Sequence, residues 1–192
     1  MLFFTDRNKV KDFAQIVKNL PKNSIIIIRE YDLKKSLREE FAKKIISYVK
    51  NYKNKNLKIL IGKDFSLVQK LNLDGVHFSD FDKLPANFLS KNSYKKNFIF
   101  SFSCHSLKSI LQNLKLLKPD ILLISPIFET TSHKDSKIIG TINLAKIVRN
   151  FQKFNFCKKK LYALGGINST NIKKVRMSKV DSFGAIDYFN KL

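Results

Sequence analysis

The chain has 192 residues, of which 44% are hydrophobic, so it is long enough for one globular domain (residues 1–192) and too apolar for a disordered protein. No apolar run approaches the roughly 20 residues that span a bilayer. The first residues also lack a signal peptide's basic segment, which predicts a cytoplasmic protein without a membrane partner. The formal net charge of +22 comes mainly from lysines spread along the whole chain, so we expect a solvated basic surface and no nucleic-acid partner.

Eight short apolar runs recur along the chain, and longer stretches separate them. The runs are Leu2–Phe4, Ser24–Ile28, Leu57–Ile61, Gly75–Phe78, Phe98–Phe102, Ile121–Ile124, Leu161–Leu164 and Ser182–Ile186. Their apolar residues are continuous rather than alternating, which is typical of parallel strands buried on both faces. They therefore predict a sheet that is covered by helices.

The stretches between the runs carry helical patterns, most clearly Leu33–Tyr52, Ser106–Leu117 and Ile142–Phe151. Asp32 and Ser66 stand where helix N-caps are expected. Eight strand–helix units in order predict an α/β protein with a single compact (β/α)₈ (TIM) barrel, and an open doubly wound sheet is the alternative.

Chemistry in such a barrel lies on the loops that follow the strands. The polar residues and glycines at those places are Arg29, Lys63, His77, Asp82, Ser103, His105, Thr130, His133, Gly165, Gly166 and Asp187. Two successive glycines after the seventh run allow the backbone to approach a phosphate closely, and the alternative is an ordinary Gly-Gly turn. The sequence thus predicts an anion site beside Gly165 and Gly166.

Three segments at these strand ends resemble the thiamine phosphate synthase/TenI family. Asp74–Phe78, with Asp82, is similar to D-G-V-H-L-x-x-x-D. Ser125–Thr130 is similar to G-P-I-F-x-T, and Ala163–Ile167 is similar to A-I-G-G-I. The resemblance implies a barrel, often dimeric, so a homodimer is one expectation. It also implies a small phosphorylated thiazole as the substrate, held near the two glycines.

Synthases of this family join the thiazole phosphate to an activated pyrimidine diphosphate with the help of Mg²⁺ and cationic groups. This chain departs from their pattern at several positions. Tyr31 stands in place of a lysine, Gly62 and Lys63 replace an Asn-Asp pair, and Asp187 replaces a serine that faces the phosphate. Asp82 is kept as a weak candidate metal ligand. The departures affect the diphosphate site more than the thiazole phosphate site.

TenI-like members instead move a proton on a thiazole carboxylate phosphate, which requires an acid/base and no metal. The first hypothesis is therefore a thiazole tautomerase that requires no cofactor. Its catalytic candidates are His133, His105 and Arg29, and its substrate- and phosphate-binding candidates are Lys63, Ser103, Thr130, Ser132, Gly165 and Gly166. Histidine suits the proton transfer because it titrates near neutral pH.

Two other hypotheses stay open. One is a thiamine-phosphate synthase that requires Mg²⁺, or in which Lys63 supplies the charge of the metal. The other is an inactive barrel that binds a phosphorylated ligand. Structural explanations also exist for the histidines, since His77 can pack in the core, His105 can cap the next helix and His133 can lie on a surface loop. Cys104 is expected to be buried rather than nucleophilic.

Overall fold

The apolar runs of the sequence form eight parallel strands in a computed structural model that describes residues 1–80, 82, 84, 97–130, 137–154 and 158–191. The strands are Leu2–Phe4 (β1), Ile25–Ile28 (β2), Lys58–Gly62 (β3), Gly75–Ser79 (β4), Ile99–Cys104 (β5), Ile121–Ile124 (β6), Lys160–Leu164 (β7) and Ser182–Ala185 (β8). Each pairs with the next, and β8 pairs with β1, so the sheet closes. The predicted (β/α)₈ barrel is confirmed.

Helices lie between the strands and cover the outside of the barrel. They are Phe13–Asn19 (α1), Lys35–Lys50 (α2), Phe65–Leu71 (α3), Leu107–Leu116 (α4), Gly140–Lys153 (α5) and Ile172–Met177 (α6), with 3₁₀ turns at Lys53–Lys55 and Phe189–Lys191. In the described part of the chain, none of them is long and apolar enough to cross a membrane. The helices leave the carboxyl ends of the strands open, which is the rim where the cavity lies.

The two N-caps predicted from the sequence are wrong. Ser66 lies inside α3, whose cap is Asp64, since that carboxylate accepts a hydrogen bond from the N–H of Leu67 at 3.0 Å. Asp32 precedes α2 but pairs with Arg7, and the helix begins after Lys34 without a side-chain cap. Arg7, on the neighbouring loop, forms an ion pair with the Asp32 carboxylate, and the sequence pattern does not show that contact.

The first turn of α2 departs from the helical pattern predicted for Leu33–Tyr52, although Ile45 farther along the helix is buried as that pattern predicts. Leu37 is 49% exposed, whereas Arg38 is buried. The Arg38 guanidinium donates to the carbonyl oxygens of Ile28, at 3.3 Å, and Gly62, at 2.6 Å, where β2 and β3 end. A buried cation with two backbone acceptors thus replaces an aliphatic contact and fixes the start of the loop that carries Lys63.

Three carboxylates join neighbouring strands at the end of the barrel opposite the cavity. Each directly precedes an even-numbered strand and accepts a backbone N–H of the strand before it: Asp74 from Ile59 at 2.9 Å, Asp120 from Phe100 at 2.9 Å and Asp181 from Leu161 at 2.8 Å. Lysines also contact them: Lys58, Lys159 and Lys160, respectively. We call these groups the carboxylate clamps. Ser24 holds the corresponding place before β2.

Candidate functional site

A cavity of about 500 Å³ opens at the carboxyl ends of the strands. Of the residues predicted to form the site, those that line it are Arg29, Lys63, His77, Ser103, His105, Thr130, Gly165, Gly166 and Asp187. The structure therefore brings together side chains that lie up to 158 positions apart in the sequence (29 to 187). Their chemical roles stay predictions, and His133 and Ser132 lie outside the described residues.

Arg29 follows β2 and is held by the loop after β1. Its Nε donates to the carbonyl oxygen of Thr5, and a terminal nitrogen donates to the carboxylate of Asp6, both at 3.2 Å. Its guanidinium carbon lies 5.6 Å from the centre of the Phe4 ring. These contacts fix the position of the cation at the cavity, and its side chain stays 26% exposed to solvent.

Glu30 joins the loop after β2 to the loop after β1, and the sequence pattern did not single it out as a site residue. It is 5% exposed, and its carboxylate accepts from the Thr5 hydroxyl at 2.5 Å and from the Arg7 N–H at 3.1 Å. Burial raises the pKa of Glu30 above its ordinary value, and these hydrogen bonds act in the opposite direction. Two charged residues, Arg29 and Glu30, directly after an all-apolar strand were the signal for such a polar contact.

Lys63 follows β3 with a positive backbone φ of 62°, which is uncommon for a residue with a side chain. Its ammonium lies 2.5 Å from the Asp82 carboxylate and 4.7 Å from the centre of the Tyr31 ring. Asp82 also accepts from the N–H and hydroxyl of Ser79, at 2.8 and 2.9 Å. The Lys63 side chain is still 46% exposed, so its charge faces both the carboxylate and the cavity.

The residues around Asp82 do not fit a Mg²⁺ ion. Magnesium is held by one or two carboxylates together with water and phosphate oxygens. Here an ammonium group already lies against one oxygen of the carboxylate, and Ser79 binds the other. Within the described ranges, no group of three or more His, Cys, Asp or Glu side chains could hold a metal ion. The cation beside Asp82 is a lysine of the chain itself.

His77 lies in the barrel wall under the cavity and packs, as one of the alternatives for it predicted. It is 4% exposed, and its ring meets the Phe4 ring edge-on at 5.4 Å. Its Nδ1 lies 2.8 Å from the Ser101 hydroxyl and its Nε2 lies 3.2 Å from the Ser103 hydroxyl. Burial lowers the pKa of His77 from 6.5 to about 3, so the ring is neutral at physiological pH.

Because His77 is buried in its neutral form, the stability of the fold depends on pH. Below pH 6.5 the unfolded chain protonates His77 and the folded chain does not, so the free energy of unfolding falls as the pH falls toward about 3. The expected slope is about 1.4 kcal/mol per pH unit for one proton. Urea unfolding at several pH values between 6.5 and 4 should therefore show that the free energy of unfolding changes less steeply with pH for His77→Gln than for the parent chain. Equal slopes would contradict a depressed pKa.

His105 follows β5, and the interpretation that it caps the next helix is wrong. Ser106 is the cap of α4, since its hydroxyl accepts from the N–H of Ser109 at 3.1 Å. The Nδ1 of His105 lies 2.9 Å from the carbonyl oxygen of Ser125. A carbonyl can only accept, so Nδ1 carries a hydrogen and donates it. The ring is thereby oriented at the cavity wall.

Gly165 and Gly166 both have positive φ, +96° and +65°. A Cβ on Gly166 would lie 2.3 Å from the carbonyl oxygen of Glu129, and one on Gly165 would lie 2.8 Å from the Cα of Pro126. The glycines are therefore required by the loop after β6 that packs against them. Their N–H groups make no hydrogen bond within the described residues, so both can serve an anion in the cavity.

The fold and this cavity define a (β/α)₈ barrel whose polar site lies on the strand-end rim, as in enzymes of that architecture. A family model described as thiamine monophosphate synthase matches residues 1–188. The chain belongs to this family of thiamine biosynthesis proteins, the TMP-TENI family, as its motifs predicted.

Relatives agree with this membership, and a solved structure agrees with the fold. The chain is 32% identical over 172 residues to "Putative thiamine-phosphate synthase 2" of Aquifex aeolicus, covering 88% of this chain and 86% of the relative. It is 26% identical over 187 residues to the thiamine-phosphate synthase of Staphylococcus epidermidis, covering 94% and 82%. The fold matches thiamine phosphate pyrophosphorylase from Pyrococcus furiosus with a TM-score of 0.76 and 22% identity, covering 96% and 84% of the two chains.

Proposed function

We propose that the chain is a thiamine-phosphate synthase, which joins a thiazole phosphate to hydroxymethylpyrimidine diphosphate. The observation that carries the proposal is the Lys63 ammonium, held 2.5 Å from Asp82 and still open to the cavity. A fixed cation at this place can neutralise a departing diphosphate, the role for which the resemblance implies Mg²⁺. The names of the relatives also favour a synthase.

The proposal assigns the chain's residues to the two halves of the reaction. The bond between the pyrimidine methylene carbon and the diphosphate oxygen breaks, and its electron pair leaves with the diphosphate. Arg29 and Lys63 stabilise that charge at the ends of β2 and β3. The thiazole nitrogen then donates its lone pair to the methylene carbon, while the N–H groups of Gly165 and Gly166 hold the thiazole's phosphate at the end of β7.

This proposal replaces the tautomerase that was the first hypothesis from the sequence. A tautomerase needs a group that exchanges a proton near neutral pH. His77 does not fit, because its pKa is about 3. His105 is bound to Ser125 through Nδ1, and the assay below tests whether it transfers a proton. His133, the preferred candidate, lies outside the described residues. The relatives named above are synthases, and none of those names indicates a tautomerase.

The deciding experiment is an assay of the purified chain with both substrates. We expect thiamine phosphate and pyrophosphate to form together in equal amounts. A parallel assay supplies the thiazole carboxylate phosphate alone and follows its isomerisation. Isomerisation without thiamine phosphate formation would support the tautomerase, and no reaction in either assay would support the binding-only barrel.

Magnesium dependence gives a sharper test of the role of Lys63. We expect chelation by EDTA to leave most of the synthase rate, because the residues at Asp82 fit a lysine rather than a metal. Lys63→Met should lower kcat roughly 10²-fold, the usual effect of losing one group that stabilises developing charge. Lys70→Met is the matched control, because Lys70 pairs with Glu39 on the surface at 2.7 Å.

Two results would contradict this role for Lys63. One is full loss of turnover on chelation that added Mg²⁺ restores. The other is an equal, small effect of Lys63→Met and Lys70→Met.

A further inference from the structure

The Tyr31 ring forms part of the cavity wall and lies beside two cations. The guanidinium carbon of Arg38 is 5.2 Å from the ring centre, and the Lys63 ammonium is 4.7 Å from it. Both distances fall within the roughly 6 Å over which a cation is attracted to an aromatic face. Tyr31 is 47% exposed and lines the cavity together with Lys63. The ring therefore contacts the charge-stabilising lysine at the place where a ligand would meet it.

Two neighbours fix the ring in place. Arg38 is buried and donates to the carbonyl oxygens of Ile28 and Gly62, so its guanidinium has little freedom to move. The ring also packs on Gly62, where a Cβ would lie 2.7 Å from a carbon of the Tyr31 ring and closer still to its hydroxyl oxygen. The φ of Gly62 is not positive, so its backbone does not require a glycine. The ring that covers position 62 explains why no side chain stands there.

Lys63 has two partners, and they act on its charge in different ways. The Asp82 carboxylate pairs with the ammonium and neutralises it. An aromatic face attracts a cation through its quadrupole and carries no net charge, so the Tyr31 ring can hold the ammonium while its charge stays available to an anion. A lysine in place of Tyr31, the residue that the family pattern has there, would instead add a third positive charge beside Arg38 and Lys63.

We propose that Tyr31 is a positioning residue whose ring holds the Lys63 ammonium at the cavity, so that the departing diphosphate meets a cation that is already in place. Such a cation needs little reorganisation when the negative charge develops. The identity of the anion rests on the proposed function, whereas the contact between the ring and the ammonium does not. Because Tyr31 acts through Lys63, its removal should have no effect of its own once Lys63 is absent.

The first test reads this contact by NMR of the unliganded protein. Protons over the face of an aromatic ring are shifted upfield, so we expect the ε-methylene signal of Lys63 to lie upfield of those of exposed lysines. A Lys63→Met sample assigns that signal. The upfield shift should be lost in Tyr31→Leu and restored in Tyr31→Phe, which keeps a ring. A Lys63 signal that is the same in the parent chain and in Tyr31→Leu overturns the proposal.

Tyr52→Leu is the matched control for this measurement. The Lys55 ammonium lies 5.4 Å from the centre of the Tyr52 ring, so the chain has a second contact of the same kind. Both residues precede β3, at the end of the barrel opposite the cavity. The same chemical change at that position should leave the Lys63 signal in place. A Lys63 signal that moves as far in Tyr52→Leu as in Tyr31→Leu would show that the shift does not come from the Tyr31 ring, and would overturn the proposal.

The second test measures binding of inorganic pyrophosphate by calorimetry in the presence of EDTA. We expect Tyr31→Leu to bind it roughly threefold to thirtyfold more weakly than the parent chain, because the ligand must then order a lysine that the ring no longer holds. Tyr31→Phe should recover most of this loss, and Tyr52→Leu should bind like the parent. In a Lys63→Met background, Tyr31→Leu should cause no further loss. A loss of equal size in both backgrounds would mean that Tyr31 acts without Lys63, and it overturns the proposal.

The two tests also separate this inference from the proposed function. If the NMR and pyrophosphate results are as expected but no thiamine phosphate forms, the synthase proposal fails and the role of Tyr31 toward an anionic ligand stands. If pyrophosphate binds equally to the parent chain and to Lys63→Met, the ammonium does not meet the anion, and this inference fails whatever the synthase assay shows.

Discussion

Arg29→Ala is expected to lower kcat/KM of the synthase reaction roughly 10²–10³-fold, the usual effect of removing one preorganised group that stabilises transition-state charge. Arg29 is fixed before substrate arrives, by Thr5, by Asp6 and by the Phe4 ring, so little reorganisation is needed when the diphosphate departs. Most of the loss should fall on kcat, because the charge on the bridging oxygen develops in the transition state. Steady-state kinetics with both substrates checks this.

Two further variants define what the Arg29 result means. Arg149→Ala removes the same side chain from an exposed position on α5, and we expect the parent rate from it. Arg29→Lys keeps the charge but loses the paired contacts to Thr5 and Asp6, so its rate should lie between those of Arg29→Ala and the parent. An Arg29→Ala enzyme with the parent kcat would place the departing diphosphate elsewhere.

Gly166→Val is expected to abolish phosphate binding and to destabilise the fold at the same time. The new Cβ would lie 2.3 Å from the carbonyl oxygen of Glu129 and 2.8 Å from the Cβ of Phe128, at a φ of +65° that side chains rarely adopt. The loop after β6 or the glycine backbone must then move, which displaces the N–H groups proposed to hold the phosphate. Calorimetry with inorganic phosphate and with the thiazole phosphate measures the loss of binding.

Gly140→Val separates backbone strain from this clash. Gly140 also has positive φ, +73°, but a Cβ there would meet nothing within 4 Å. We expect it to lower the melting temperature less than Gly166→Val and to keep phosphate binding. Unchanged phosphate affinity in a folded Gly166→Val protein would mean that the anion site is not beside the two glycines.

The fold could be predicted from the sequence because the short apolar run that marks a buried strand recurs eight times. Eight continuous apolar runs gave the strands to within two residues at each end, since burial on both faces leaves no other pattern. Predictions of local contacts were wrong where a residue distant in the sequence determined the contact. Asp32 does not cap α2 because Arg7 binds it, and Arg38 is buried because two strand-end carbonyls accept its hydrogen bonds.

The candidate site was predictable as a list of positions and not as a set of contacts. Strand ends predicted that Arg29, Lys63 and Gly165 would meet at one rim, and they line one cavity. The pairing of Lys63 with Asp82 depends on a loop with positive φ, which nothing in the lysine's neighbourhood indicates. The contact of His77 with Ser101 depends on the register of β4 against β5, which a single sequence does not contain.

The carboxylate clamps bear on how such a barrel can change over evolutionary time. They tie β3 to β4, β5 to β6 and β7 to β8 at the end away from the cavity. A substitution on the cavity rim, such as the Lys63 and Asp187 of this chain, leaves all three clamps untouched. The contacts that join the strands and the polar groups of the cavity thus lie at opposite ends of one barrel, so a lineage can exchange a polar side chain on the rim while these contacts stay in place.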